Sequence, residues 1–234
     1  VNSPLQSILE ILAALTVEGS TGKNLDSLAS GLLRQQKVES AFLHYTPGGN
    51  APTEGFPNVL CVSINGEVIH GIPDDRKFQF GDIVKLDLGL KDAEGNFDDG
   101  ALTVIVGERA GSAVACRLVK TTKEALEAGV AQAKAGNTTH DIARAIYAVA
   151  QREGFSVIEG YSGHGIGTAL HMAPDVPNKP VGVPVKLEAG MRLAIEPMLS
   201  SNKGYTVIDK NNKWTVKLQG GGVSAHFERT VTVK

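Results

Sequence analysis

Residues 81–89 read GDIVKLDLG and residues 190–198 read GMRLAIEPM, and comparing these two stretches decides how the chain is built. In each, a glycine opens a strand-like run and an acidic residue follows six positions on: Asp87 after Gly81, Glu196 after Gly190. The correspondence extends outward. His70-Gly71-Ile72 recurs as His164-Gly165-Ile166, and Asp99, trailed by Thr103-Val104, has a counterpart in Glu228, trailed by Thr232-Val233. Gly19 ahead of Leu25 recurs as Gly136 ahead of Ile142, 117 residues on, which is half of the 234-residue length. The expectation is one domain over residues 1–234, made of halves of about 1–110 and 111–234 that fold over each other about a pseudo-twofold axis. Four carboxylates and two imidazoles then gather near that axis. Anions held so close repel one another and lose hydration, so either their pKa values rise or cations neutralise them.

The remaining periodicities fill in an α+β chain. Leu5, Ile8, Ile11, Leu12 and Leu15 recur at helical spacing, as do Leu25, Leu28, Leu32 and Leu33. Residues 112–135 and 138–153 read as two more helices, with Gly136 and Gly154 as stops. Strands are expected over 58–64, 67–69, 83–90, 97–106, 155–158, 192–199, 214–218 and 224–233, with Asn65-Gly66 as a hairpin turn. The Gly/Pro/Asn-rich stretch 46–57 and the Pro/Gly-rich stretch 174–184 read as loops. Helices followed by strands in each half favour antiparallel sheet over alternating βαβ units. The GHGIG run at 163–167 has the wrong glycine spacing for a phosphate loop.

Bulk properties narrow the function. A net charge of −2 and no dense Lys/Arg run leave no footprint for nucleic acid. No apolar stretch approaches the roughly 20 residues needed to cross a bilayer, and no secretory signal pattern opens the chain. Two cysteines, Cys61 and Cys116, form no CxxC pair and fit a reducing cytoplasm.

Asp87 stands inside Val84-Lys85-Leu86-Asp87-Leu88, where a strand ordinarily carries an apolar side chain. Glu196 lies in an equally apolar run, and burying either without a partner is costly. Asp99 is preferred to its neighbour Asp98, because the Thr-Val pairs align it with Glu228; Asp98 points to the other face and reads as a solvated charge. For Glu228 the competing reading is a salt bridge with Arg229 or Arg192. His164 stands between glycines that allow close approach, and His70 and His171 lie in similar Gly/Pro-marked turns. His44, His140 and His226 read as surface or supporting residues, His140 as solvated. One imidazole with four carboxylates, Asp87, Asp99, His164, Glu196 and Glu228, makes an oxygen-rich set for two divalent first-row ions such as Mn, Fe or Co, with Zn possible. A dinuclear hydrolase follows from that set.

Six segments carry a family resemblance: NGEVIHGIPDD (65–75), GDIVKLDLG (81–89), GHGIGTALHMAP (163–174), IEPM (195–198), WTVK (214–217) and SAHFERT (224–230). In this order they resemble type I methionine aminopeptidase, a pita-bread-fold metallopeptidase, over roughly residues 5–233. The resemblance implies removal of the N-terminal methionine from nascent proteins and peptides. It implies that Asp87 chelates one ion, that Asp99 and Glu228 are shared between two, and that His164 and Glu196 hold the other. Glu196 then relays a proton to the leaving amine, His171 steadies the oxyanion and His70 positions the scissile amide. It places Phe42, Tyr45, Phe56, Cys61, Leu170 and Trp214 around the substrate side chain, beside His70 and His171. The implied protein is a monomer that meets the ribosome transiently. Three departures stand out: Met172 follows His171 where the family carries an acid, His226 stands where Gln is common, and residues 46–54 read as an insertion beside the pocket. Two other functions share the scaffold, an Xaa-Pro aminopeptidase or prolidase and a metal-free pita-bread binding module.

Overall fold

The computed structural model describes residues 3–47, 54–107 and 110–234. Helix α1 (Pro4–Ala14) starts where Ser3 accepts the Gln6 N–H and Pro4 supplies a preset φ. Thr21 caps α2 (Gly22–Gln36) in the same way. After α2 come β1 (Glu39–Ser40), β2 (Cys61–Ile64), β3 (Glu67–Ile69), β4 (Ile83–Lys91) and β5 (Phe97–Ile105). The second half opens with α3 (Ala113–Val130) and α4 (Thr139–Arg152) and continues with β6 (Ser156–Val157), β7 (Ser162–Gly165), β8 (Met172–Pro177) and β9 (Arg192–Ile195). The chain then forms β10 (Met198–Ser200), β11 (Thr206–Ile208), β12 (Val216–Leu218), β13 (Ser224–His226) and β14 (Glu228–Thr232).

Strands from both halves share one eight-stranded sheet, ordered β1-β4-β5-β14-β9-β7-β8 with β2 also paired to β4. The halves meet at the antiparallel β5–β14 pair, where Glu228 faces Ala101. Two halves meeting in one sheet is what the repeat implied, and the pita-bread fold is what the resemblance implied. Leu86 and Leu88, flanking Asp87 on β4, turn toward α1 and α2 in one apolar core. Leu193 and Ile195 turn toward α3 and α4 in another. Because strand side chains alternate, burying these leucines under helices turns Asp87 and its neighbours toward the opposite, helix-free face. Among the described residues no helix is long and apolar enough to cross a membrane.

Several expected boundaries move, each for a visible reason. Helix α3 stops at Val130 rather than 135, because the backbone N–H groups of Ala135 and Gly136 bond to the Lys234 and Leu187 carbonyls instead. The run 192–199 splits into β9 and β10 around Pro197, which has no N–H to donate, and the two pieces join different sheets. The run 224–233 likewise splits at Phe227 into β13 and β14. The first part of the expected 174–184 loop is the end of strand β8, and β11 was unforeseen. Of the expected 46–57 loop, residues 48–53 lie outside the described residues.

His164 stands on strand β7 rather than in a turn. Gly163 and Gly165 are there because a Cβ at either would lie 2.2 Å from a backbone carbonyl oxygen, of Ala194 and Ala173 respectively. The sheet is packed too closely at β7 for any other residue. A Gly-His-Gly sequence has little strand propensity of its own.

Candidate metal centre and active site

Five adjacent strands each deliver one of the five expected ligands, in spatial order. Asp87 is on β4, Asp99 on β5, Glu228 on β14, Glu196 just past β9, and His164 on β7. The register sets their common face: Asp87 and Glu228 both pair with Ala101, and His164 pairs with Ala194, two residues before Glu196. Residues paired across a sheet, or two apart along a strand, point the same way. Their donor atoms form overlapping groups, Asp87-Asp99-Glu228, His164-Glu196-Glu228 and Asp99-His164-His171, each with ligand atoms within 4.8 Å of one another.

The imidazole is already aimed. His164 Nδ1 lies 2.9 Å from the Gly165 carbonyl oxygen, which can only accept, so Nδ1 carries the proton. Nε2 is left with its lone pair, 3.6 Å from Glu196 Oε1 and 4.0 Å from Asp99 Oδ2. A backbone carbonyl holding the far nitrogen is a common way to orient a metal-binding histidine.

Burial pushes the Asp87 carboxyl up to about 7. Asp99 rises well above the carboxylate range through burial first and the Asp87 and Glu196 charges second. Glu228 rises through burial and then Asp99, Glu196 and Asp87, and Glu196 through burial and Asp87. Asp87 Oδ1 and Glu228 Oε1 are buried without a hydrogen-bond partner. Neither arginine proposed for Glu228 answers it: Arg229 pairs with Glu127 at 2.6 Å and Arg192 lies 3.6 Å from Asp98. Asp98 is therefore half-buried and paired rather than solvated. A cage of hard oxygen donors with orphaned carboxylate atoms fits divalent cations, whose charge would offset the repulsion.

Beside the cage lies a cavity of about 290 Å³. It is lined by all the expected pocket residues, Phe42, Tyr45, Phe56, Cys61, His70, Leu170, His171 and Trp214, together with the five cage residues. Pro47 lines it too and carried no signal in the sequence. Phe56 meets Trp214 edge-on at 5.3 Å and Phe42 at 6.4 Å, which gives the wall aromatic rigidity. Cys61 pairs in register with Asp87, so its thiol shares the cage face. His70 and His171 belong to this lining, His171 at its exposed edge; lost hydration of the ring nitrogens drives each down to about 4, with His164 and His70 adding to the effect at His171, so both are neutral at neutral pH.

Of the two alternatives left open for His226, the structure gives the supporting one: it is 1% exposed and its Nε2 lies 3.8 Å from Glu196 Oε2. His140 differs from expectation, being partly buried with Nε2 3.0 Å from the Val181 carbonyl oxygen rather than solvated. His44 is exposed, as expected.

Supporting polar residues were not legible in the sequence. The Asn178 side-chain amide donates to the Glu196 carbonyl at 3.0 Å. Across the seam, the Thr230 hydroxyl accepts from the Asp99 N–H and donates to the Asp99 carbonyl, both at 3.0 Å. Buried Thr103 makes the same two-way clamp on the backbone of His226, two residues before Glu228. Replacing Thr103 by Val keeps the shape but strands a buried N–H and C=O, so urea unfolding should report a loss of about 1–3 kcal/mol. An unchanged midpoint would show the clamp to be dispensable.

Comparison with known proteins agrees with this geometry. The model of metallopeptidase family M24 matches residues 10–234. A methionine aminopeptidase from Aquifex aeolicus is 39% identical over 230 residues, 97% of this chain and 87% of that protein. The crystal structure of a methionine aminopeptidase from Thermotoga maritima superposes with a TM-score of 0.91 at 34% identity, covering 99% of this chain and 89% of that one. An Xaa-Pro dipeptidase from Bacillus anthracis is similar in fold alone, with a TM-score of 0.72 at 21% identity over 54% of its length. With the family match, the full-length relatives and the sheet all in agreement, the chain belongs to metallopeptidase family M24.

Proposed function

We propose that this chain is a methionine aminopeptidase, a metal-dependent hydrolase that removes the N-terminal methionine from peptides and nascent proteins. The observation that carries the reading is the row of five strands, each contributing one ligand, set against an apolar aromatic cavity. Strands from both halves share one sheet, which supports treating residues 1–234 as a single catalytic domain. Asp87 would hold one divalent ion, His164 and Glu196 the other, and Asp99 and Glu228 would serve both. The donor set suits Mn, Fe, Co or Zn. Bound there, such ions supply an acidified water and a Lewis acid for the scissile carbonyl.

The chain's own residues do the rest. Glu196, whose carboxyl is held high by burial and by Asp87, accepts a proton from the attacking water and passes it to the leaving amine. His171, neutral and at the cavity opening, donates a hydrogen bond to the developing oxyanion. His70, with a backbone φ of +56°, is turned into the cavity to orient the scissile amide. Phe42, Phe56, Leu170 and Trp214 exclude water around the first side chain, and the Cys61 sulfur suits a polarisable thioether. The free thiols of Cys61 and Cys116 support a reducing, cytoplasmic setting.

The unbranched apolar slot predicts that Met-Ala and Met-Gly peptides are cleaved far faster than Ala-Pro peptides after metal reconstitution. Steady-state kcat/KM on the three substrates checks this. Faster Ala-Pro cleavage would favour the prolidase reading, and no cleavage of any would favour a binding module.

A further inference from the structure

Tyr45 stands in the pocket wall, but its hydroxyl is directed elsewhere. Its ring packs with the cluster built around Phe42, Phe56, Cys61 and Leu170. Its backbone is fixed on both sides: its N–H donates to the Phe42 carbonyl at 2.9 Å and its carbonyl accepts from the Phe56 N–H at 2.9 Å. From that anchored position the hydroxyl reaches His171 Nδ1, 2.5 Å away, with ring centroids 5.2 Å apart. The His171 ring also meets that of His164, with centroids 4.3 Å apart. Among the described residues no other group hydrogen-bonds this imidazole. His171 is itself exposed, and an exposed side chain without a partner samples several rotamers.

The contact also selects a tautomer. A phenol can donate or accept, and a neutral imidazole has one N–H and one lone pair. If Nδ1 were the donor, Nε2 would present a lone pair to any oxygen gaining negative charge. With the Tyr45 O–H donating to Nδ1, the imidazole proton sits on Nε2, the nitrogen left free for the reaction. We infer that Tyr45 is a positioning residue for His171, holding it as the Nε2–H tautomer that can donate to the developing oxyanion.

The inference rests on the role proposed for His171, and the test separates the two. Y45F, H171A and the double variant are compared with the parent enzyme on Met-Ala, each reconstituted with Mn(II). Phenylalanine keeps the pocket wall and removes only the hydroxyl, and an unchanged Tm and metal content confirm that Y45F is folded. The expected result is a kcat lowered about tenfold in Y45F with KM within about twofold, a larger loss in H171A, and no further loss in the double variant. A normal kcat in Y45F, a change in KM alone, or a Y45F loss that recurs in full in the H171A background would each overturn the inference while leaving the His171 assignment standing. Parental turnover by H171A would overturn both.

Discussion

Stripping the protein of metal is expected to abolish Met-Ala hydrolysis and, separately, to make its stability fall as pH rises. Asp87, Asp99, Glu196 and Glu228 all have carboxyl groups raised above their ordinary range in the fold. A raised native pKa means that the folded state binds more protons than the unfolded one once pH exceeds about 4. The stability gained from those protons is complete below that point. It is lost as pH climbs through the native value, about 7 for Asp87 and well above the ordinary carboxylate range for the others. Chelated protein should therefore show a Tm that declines from about pH 5 to pH 8, and added Mn(II), Fe(II) or Co(II) should restore both activity and a flatter profile. Removing one anion sharpens the test. D99N should raise the Tm of the metal-free protein at pH 8, because one charge leaves a repelling group, while lowering metal-supported kcat by more than about 10²-fold. A metal-free Tm that rises with pH, or full activity after chelation, would refute the cage as described.

Glu196→Gln should lower kcat by about 10²-fold or more, the range of lost acid-base catalysis. Glutamine keeps the length and one carbonyl donor but cannot carry a proton between water and amine. KM for Met-Ala should change little, since the pocket contacts of Phe42, Phe56 and Trp214 are untouched. Metal content measured beside the kinetics separates the two roles of Glu196. Full occupancy with lost kcat assigns the defect to proton transfer, whereas lost occupancy assigns it to ligation. Near-parental turnover at full occupancy would remove Glu196 from proton relay and leave His226, 3.8 Å from its Oε2, as the adjacent group to examine.

The sequence was most legible where function overrides propensity. An acid inside GDIVKLDLG contradicts the apolar pattern around it, and only a paired or metal-bound carboxylate resolves that conflict. The same conflict at Glu196, in register with the repeat, pointed to the residues that the fold brings together, and the alignment of Asp99 with Glu228 favoured Asp99, whose carboxylate lies in that group, over Asp98, which faces Arg192. Legibility failed where tertiary packing sets the local conformation. Gly163-His164-Gly165 is a strand only because neighbouring carbonyls crowd it. The 192–199 and 224–233 runs are broken where the chain passes from one sheet to another beside Glu196 and Glu228, and hydrophobic patterning does not record such a change of partner. The sequence left His226 open between surface and supporting roles, and only the fold shows it buried, with Thr103 hydrogen-bonded to its backbone.

By itself, then, the sequence determined the class of the fold and pointed to a doubled chain and to the five residues proposed for the cage, because alternation and repeat fix which side chains share a face. Only the tertiary structure decided that five neighbouring strands deliver those residues in order, that His164 aims Nε2 inward, and that Thr230 and Asn178 brace the backbone of Asp99 and Glu196. These depend on distances across the sheet between residues as far apart as Asp99 and Thr230, and no local pattern in a chain encodes which remote polar group will meet which.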